Sequence, residues 1–550
     1  MVSTSATMKL STAAARLVLL LLSASSPASA SYAFYVGKNL TATGAVLLGG
    51  TGEEVSSHWL QLFPARDHPA NATVTVGVTA QASIPGELIT IPQVARTHRY
   101  LSMEYSDFEG FPAPLTNGGV NEKGLAVRDV WATNRDELYY GTPVPQRGVQ
   151  YSDLARLALE RAGTAREAAE LVGALVQEHG YATYGGNSHL FADCHEGWVV
   201  WEFAGGQRLW AAERLGPDDV RVSYPGYIQD FPLDYASSPD HMGSPDLVSY
   251  AVEQGWWSED GGEPFNVFKV YGPQGESYTA KDGGFKYMSQ AALEDATLAM
   301  VPLTEEKLMQ RVRDPRIADD QAGYGQVVSL SADQKDPDLY RLWVAATGSL
   351  AAPFVPWYLG VESVPPEFGE HRYLTTGSSS SFLNPGFQLQ EASLFAGRLF
   401  KRVLYYMCAL PEVLHPLVTD MLTAFEAKSR ADVDGEAGGG GGGDGWVEKS
   451  ARALIDKGER EAARKLLTHY SHTRGAEALR LGRTMVDALD GYVKLSGQWR
   501  DPVGDDINDA GEGDETVNCL VGINPDKPAD QQQQKRRRKS GANFGVLTQY

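Results

Sequence analysis

β-forming residues dominate Ser31 to Val36 and Ala45 to Leu48, and the turn-like stretch Lys38 to Gly44 between them predicts an N-terminal hairpin with Asn39 at its tip. Polar, proline-containing loops are expected over much of Glu53 to Ala70 and around Tyr105 to Pro114. From Ser152 to Ala162 the spacing puts Leu154, Leu157 and Ala158 on one helical face. Thr164-Ala165-Arg166-Glu167 then reads as a capping box that starts a second helix, stopped at Gly180. His189 to Asp193 and Trp198 to Ala204 predict a further hairpin, turning through Cys194 to Gly197. Strand pairs around a helix pair imply antiparallel sheets with helices packed outside them.

The last third changes character. Helical patterns occupy about Glu391 to Leu410, Leu417 to Lys428 and Glu448 to Leu489, and the Gly438 to Gly443 run has the composition of a flexible linker. Beyond Gly497 the chain is polar and acidic, and a glutamine run and Lys535-Arg536-Arg537-Arg538-Lys539 then follow, which predicts a solvated, disordered tail. At the other end, Lys9 and Arg16 precede the apolar run Leu17 to Leu22, and Ala28-Ser29-Ala30 supplies small residues at cleavage spacing. That is the three-part pattern of an export signal, too short to span a bilayer, with the cut expected after Ala30. The apolar stretch Leu399 to Leu422 is interrupted by Lys401, Arg402, Pro411, Glu412 and Pro416, so no membrane span is expected there. The organisation expected is a signal peptide over 1–30, a main domain over 31–430, a linker over 431–446, a helical extension over 447–497 and a tail over 498–550.

Charge and cysteine content narrow the function classes. A net charge of -21 argues against nucleic acid or an anionic membrane as partner. Three cysteines, Cys194, Cys408 and Cys519, cannot build a disulfide framework. Cys194 beside His195 has the composition of a thiol dyad, but adjacent residues on extended chain point opposite ways, so a structural role is expected. The sequons Asn39-Leu40-Thr41 and Asn71-Ala72-Thr73 suit a chain that enters a secretory lumen. The spacing Gly119 to Gly124 lacks the lysine of a phosphate loop, and neither a G-x-S-x-G elbow nor a zinc spacing occurs. No cofactor and no metal are implied.

Cleavage after Ala30 would leave Ser31 as the first residue, with a hydroxyl nucleophile and a free α-amine on one residue. From there, Ser31 followed by Val36-Gly37-Lys38, PARDHP (64–69), IPQVARTHRYLSM (91–103), GGVNEKGLAV (118–127), GWVVWEF (197–203) and LWVAATGSLAAPFVPWYLG (342–360) resemble, in order and spacing, the dipeptidase A and secernin family of N-terminal-nucleophile hydrolases. The resemblance covers roughly residues 31 to 430. It implies an α+β fold, a four-layer αββα sandwich, hydrolysis of dipeptides or related amides, and a nucleophile at the first mature residue. The family's usual cysteine stands here as Ser31. Its arginine and acid on the second strand fall at Gly50 and Glu53, and an asparagine after a proline falls at Gly226.

The residues expected to act are Ser31 as nucleophile, its own amine as base, Glu53 orienting that amine, and Asn121, Asn134 or local backbone amides donating to the oxyanion. Arg128 and Asn134 are the expected substrate contacts. Each also has a structural reading: Asn121 in a turn, Glu53 on a solvated loop, Arg128 and Asp129 in surface pairs. Two further functional readings stand beside the dipeptidase: a non-catalytic relative acting by binding in the secretory pathway, and an acylase for non-peptide amides. The expected partner is a small peptide in a secreted or lysosome-like compartment. The sequence says nothing of oligomeric state.

Overall fold

A computed structural model describes residues 31–52, 58–105, 110–113, 115–274, 289–315, 318, 322–370, 395–409, 411–435 and 445–496. Two antiparallel sheets face one another, and helices cover both outer faces. The smaller sheet is built from β1 (Tyr32–Val36), β2 (Val46–Gly52), β10 (Val220–Ser223), β12 (Tyr324–Leu330), β13 (Arg341–Ala345) and β14 (Val355–Tyr358). Its order is β10-β1-β2-β12-β13-β14. The larger sheet contains β3 (His58–Phe63), β4 (Tyr100–Tyr105), β5 (Leu115–Asn121), β6 (Ala126–Trp131), β7 (Asn187–Ala192), β8 (Gly197–Glu202), β9 (Trp210–Leu215) and β11 (His241–Gly243). Its order is β11-β9-β8-β7-β6-β5-β4-β3. The αββα sandwich expected from the resemblance is the architecture observed.

Layering explains the composition of β1. All five of its residues, Tyr-Ala-Phe-Tyr-Val, are buried, because one face meets the opposite sheet and the other meets the helix layer. The expected hairpin forms, with Tyr32 opposite Thr51 and Val36 opposite Leu47. The β7-β8 hairpin forms as well, closing from Asn187 opposite Glu202 to Ala192 opposite Gly197. The stretch Glu53 to Ala70 is less irregular than its sequence implies, because β3 occupies His58–Phe63 and pairs with β4.

On the larger sheet lie α1 (Tyr151–Arg161) and α2 (Ala165–His179). The α1 start carries a reciprocal cap, in which Gln150 accepts from Ser152 N and Asp153 accepts from Gln150 N. The second helix starts as expected, with Thr164 Oγ1 accepting from Glu167 N, and ends at Gly180 with φ 87°. On the smaller sheet lie α3 (Gln290–Leu298) and α4 (Glu305–Val312). The C-terminal helices follow: α5 (Ala396–Ala409), α6 (Pro411–Asp434), α7 (Trp446–Asp456) and α8 (Arg460–Ser496). The single helix expected over Glu448 to Leu489 is thus two, divided at Gly458, which has φ 83°.

These last helices lie against the main body. Buried Arg341 on β13 pairs with Glu305 of α4 at 2.8 Å, Asp434 of α6 at 2.7 Å and Glu448 of α7 at 2.5 Å. Arg460 and Arg464 of α8 both reach Asp338, at 2.7 and 2.9 Å. Helix α6 runs to Asp434, so the start of the expected linker is helical. The signal segment 1–30, the glycine run and the tail beyond 496 lie outside the described residues. No helix among the described residues is long and apolar enough to cross a membrane.

Candidate active site

Ser31 directly precedes β1 and is 5 % exposed. Tyr35, four residues on, donates its hydroxyl to the carbonyl oxygens of Leu215 (3.2 Å) and Gly216 (2.9 Å) across the sandwich. It therefore points between the sheets, and the two-residue period of extended chain carries Ala33 and Ser31 to the same face. Phe34 faces the other way, with the Arg311 guanidinium of α4 5.9 Å from its ring. Tyr32 stacks on Tyr224 at 4.0 Å and donates its amide to Thr51 Oγ1 at 3.3 Å. Ser31 is thereby held at the rim of the inter-sheet space by neighbours on both flanking strands.

From the opposite sheet, Arg128 on β6 enters the same space. Its guanidinium is fully buried. Nη1 donates to Asn117 O (2.6 Å), Asn117 Oδ1 (2.5 Å) and Asp129 Oδ1 (2.8 Å). Nη2 donates to the carbonyl of Thr51, the residue paired with Tyr32, and the group lies 4.9 Å from the Tyr324 ring. Its Nε is buried with no hydrogen-bond partner, an unspent donor on a buried cation one residue in register from Ser31. Gln326 bridges the sheets by donating to Val127 O at 3.1 Å. Gly118 faces it where a Cβ would sit 2.1 Å from Gln326 Oε1. His58 lies 5.0 Å from the Tyr324 ring and opens onto a small apolar cavity lined by Leu60, Met103, Val344 and Ala346.

The two glycines where the family differs are both close-approach points. A Cβ on Gly50 would lie 2.1 Å from Tyr32 O, so no side chain fits there without moving β1. A Cβ on Gly226 would lie 2.4 Å from Ser188 Oγ. Ser188 on β7 thus faces the inter-sheet space where residue 226 would have projected.

The structure does not bring all the expected residues together. Asn121 is fully buried at the β5-β6 turn: its Nδ2 donates to Leu159 O (3.0 Å) and Ala162 O (2.8 Å), and its Oδ1 accepts from Lys123 N and Leu125 N. That corrects the oxyanion expectation, because every bond its amide offers is spent tying the turn to the end of α1. Asn134 likewise accepts from Ala204 N at 2.6 Å and donates to Ala132 O at 3.4 Å, a structural tie rather than a free substrate contact. Glu53 lies outside the described residues. Cys194 occupies the β7-β8 turn, half-buried, and burial, followed by the Asp193 charge, pushes its thiol up, as suits an inert structural cysteine. Asn117, Ser188, Tyr324 and Gln326 carry no motif that would have singled them out.

Residues 87–288 match peptidase family C69. That stretch is less than half of the chain. It carries Asn117, Arg128, Ser188 and Gly226, and it begins after Ser31. The chain is also 27 % identical over 263 residues to a probable dipeptidase B of Streptococcus pyogenes serotype M3, and 28 % identical over 263 residues to that of serotype M6. Each alignment covers 46 % of this chain and 49 % of the relative, so the chain spans about half the length of the curated relatives it matches. These matches bear out the resemblance to the dipeptidase A and secernin type. Among solved structures, a point mutant of the conjugated bile acid hydrolase from Clostridium perfringens is 11 % identical with TM-score 0.27, covering 57 % of this chain and 96 % of that one. A second variant of the same hydrolase is 11 % identical with TM-score 0.30, covering 60 % and 92 %.

Proposed function

We propose that this chain is an exported hydrolase of dipeptides or small peptides that uses Ser31, freed at its amine by removal of residues 1–30, as an N-terminal nucleophile. The observation that carries the reading is the buried Arg128 cation, whose Nε has no partner and whose Nη2 donates to the carbonyl of Thr51, the residue paired with Tyr32 next to Ser31. A free α-amine accepts the hydroxyl proton, and Oγ attacks the substrate carbonyl. The C–N bond then breaks as the amine returns that proton to the leaving nitrogen. Water, deprotonated by the same amine, hydrolyses the acyl-enzyme and restores the hydroxyl. Arg128 receives the carboxylate of a short peptide through its partnerless Nε. The α-amine titrates near 7.7–8.0 when unperturbed, so turnover should rise from about pH 6 to pH 8 as the neutral form accumulates. Export is supported by the N-terminal pattern and by the exposure of Asn39 and Asn71, although Asn39 Nδ2 already donates to Asp218 at 2.8 Å.

N-terminal sequencing of secreted protein, with a dipeptide assay, tests the reading. Ser31 should be the first residue, with a free amine. Ser31→Ala and a variant with one residue added before Ser31 should each lose about a thousandfold or more. A different first residue, a blocked amine, or full activity in either variant would overturn the assignment. Binding of dipeptide without turnover would favour the non-catalytic reading, for which the closed positions at Gly50 and Gly226 leave room.

A further inference from the structure

The face of the larger sheet turned away from Ser31 holds titratable groups that the proposed chemistry does not use. Asp129 follows Arg128 on β6 and accepts from its Nη1 at 2.8 Å. Its pairing partner across the ladder is His189 on β7. His189 is completely buried; its Nδ1 is 2.8 Å from Glu202 Oε1 on β8, and its Nε2 is 2.9 Å from the Tyr151 carbonyl at the start of α1. Both ring nitrogens thus face oxygen acceptors, an arrangement that suits an imidazolium with a proton on each. Burial alone would push His189 down, but the charge and hydrogen bond of Glu202, then Asp129 and the Tyr151 carbonyl, leave it above its ordinary value. Glu202 is completely buried too.

Across the sheet groups of opposite charge type alternate, Arg128, Asp129, His189 and Glu202, and burial pushes the Glu202 carboxyl up against the charge and hydrogen bond of His189. The first link is the 2.8 Å contact from Arg128 Nη1 to Asp129 Oδ1. The last is the 2.8 Å His189 to Glu202 contact. A lone buried carboxylate at Asp129 would be costly, and a buried guanidinium with only neutral partners would be as well. Each charge in the string makes the next one tolerable.

We infer that Asp129, His189 and Glu202 are positioning residues, a charge-alternating string through the larger sheet that holds the Arg128 guanidinium ready for a substrate carboxylate. This rests on the proposed peptidase reading for its consequence in catalysis, and on the geometry alone for the coupling itself. The groups facing His189 are Glu202 from β8, Asp129 from β6, the Tyr151 carbonyl from α1, the Phe191 ring at 5.7 Å on its own strand, and the Tyr181 and Asn187 side chains flanking Glu202.

Two readouts on the full-length secreted protein separate the string from a merely structural ion pair. The first is histidine-labelled NMR titration. Arg128→Met removes a positive charge bound to Asp129, so it should move the His189 midpoint upward; Asp129→Asn should move it downward. A His189 midpoint unchanged in Arg128→Met overturns the string, whether or not the protein cleaves peptides. The second readout compares a dipeptide with its C-terminal amide. In His189→Asn and Glu202→Gln, KM for the free dipeptide should rise about tenfold with kcat within about twofold, and the preference over the amide should collapse. Lowered melting with that preference intact means a structural role only and overturns the proposal. If wild type cleaves no dipeptide at all, the peptidase reading fails, and the NMR coupling still decides the string.

Discussion

Glu104 on β4 is a buried acid whose protonation has a measurable consequence. It accepts from Ser102 Oγ at 2.6 Å and Thr116 Oγ1 at 2.9 Å. Burial pushes its carboxyl from 4.5 up to about 7, against those two hydrogen bonds. Between these values the folded chain holds a proton that the unfolded chain has released. Its contribution to stability is therefore full below about 4.5 and is lost as pH rises through about 7. Glu104→Gln keeps the neutral form at every pH, so urea unfolding should show it about 3 kcal/mol more stable relative to wild type at pH 8 than at pH 4.5. Nothing in the string Leu-Ser-Met-Glu-Tyr marks this acid as buried. The same holds for Asn121 and Arg128: the sequence identifies residue types able to act, and the fold spends one on a turn and bonds the other to Thr51 across the sandwich.

Among elements, α2 was the most legible because its signals are local. Thr164 and Gly180 act through neighbours within one helical turn, which a linear reading can see. Thr164→Ala should cost about 1 kcal/mol in thermal or denaturant unfolding, since Glu167 N loses its acceptor. Gly173, in the middle of the same helix, has a reason that no local pattern contains. A Cβ there would lie 2.2 Å from Trp210 Cζ2 on β9, so the glycine lets the helix sit close on the sheet. Although alanine is the better helix former, Gly173→Ala should destabilise by about 1–3 kcal/mol in the same measurement. Strand β3 was missed for a related cause: its pairing with β4 is fixed by partners more than thirty-five residues away, from His58 with Tyr105 to Phe63 with Tyr100.

For the whole molecule, the C-terminal helices raise the question of separability. Arg341 is surrounded by acids from three different helices, two of them beyond residue 430. Helix α8 packs Leu467 and Tyr470 into the same continuous core as Trp357 and Tyr358 of β14. Ending the chain at residue 445 would leave Arg341 short of Glu448 and expose one face of β14; losing a partner from a buried ion pair costs about 3–5 kcal/mol. The full chain should therefore unfold in a single calorimetric transition, and the truncated chain should be recovered unfolded or aggregated. A soluble, cooperatively melting product ending at 445 would show the helices to be a true appendage.

Local physics settled part of what the sequence alone could determine: hairpins from β-forming runs around turns and helix starts from capping hydroxyls, each resting on contacts within a few residues. The layered sandwich was legible only through the resemblance that the ordered strings from Ser31 to Gly360 carry. What only the tertiary structure decided is which polar side chains share a space. Arg128 meets Thr51 across the sandwich, Gly226 abuts Ser188, and His189, opposite Asp129 in the ladder, contacts Glu202. Those meetings depend on strand register and on which face each residue presents, and a shift of one residue would reverse every one of them.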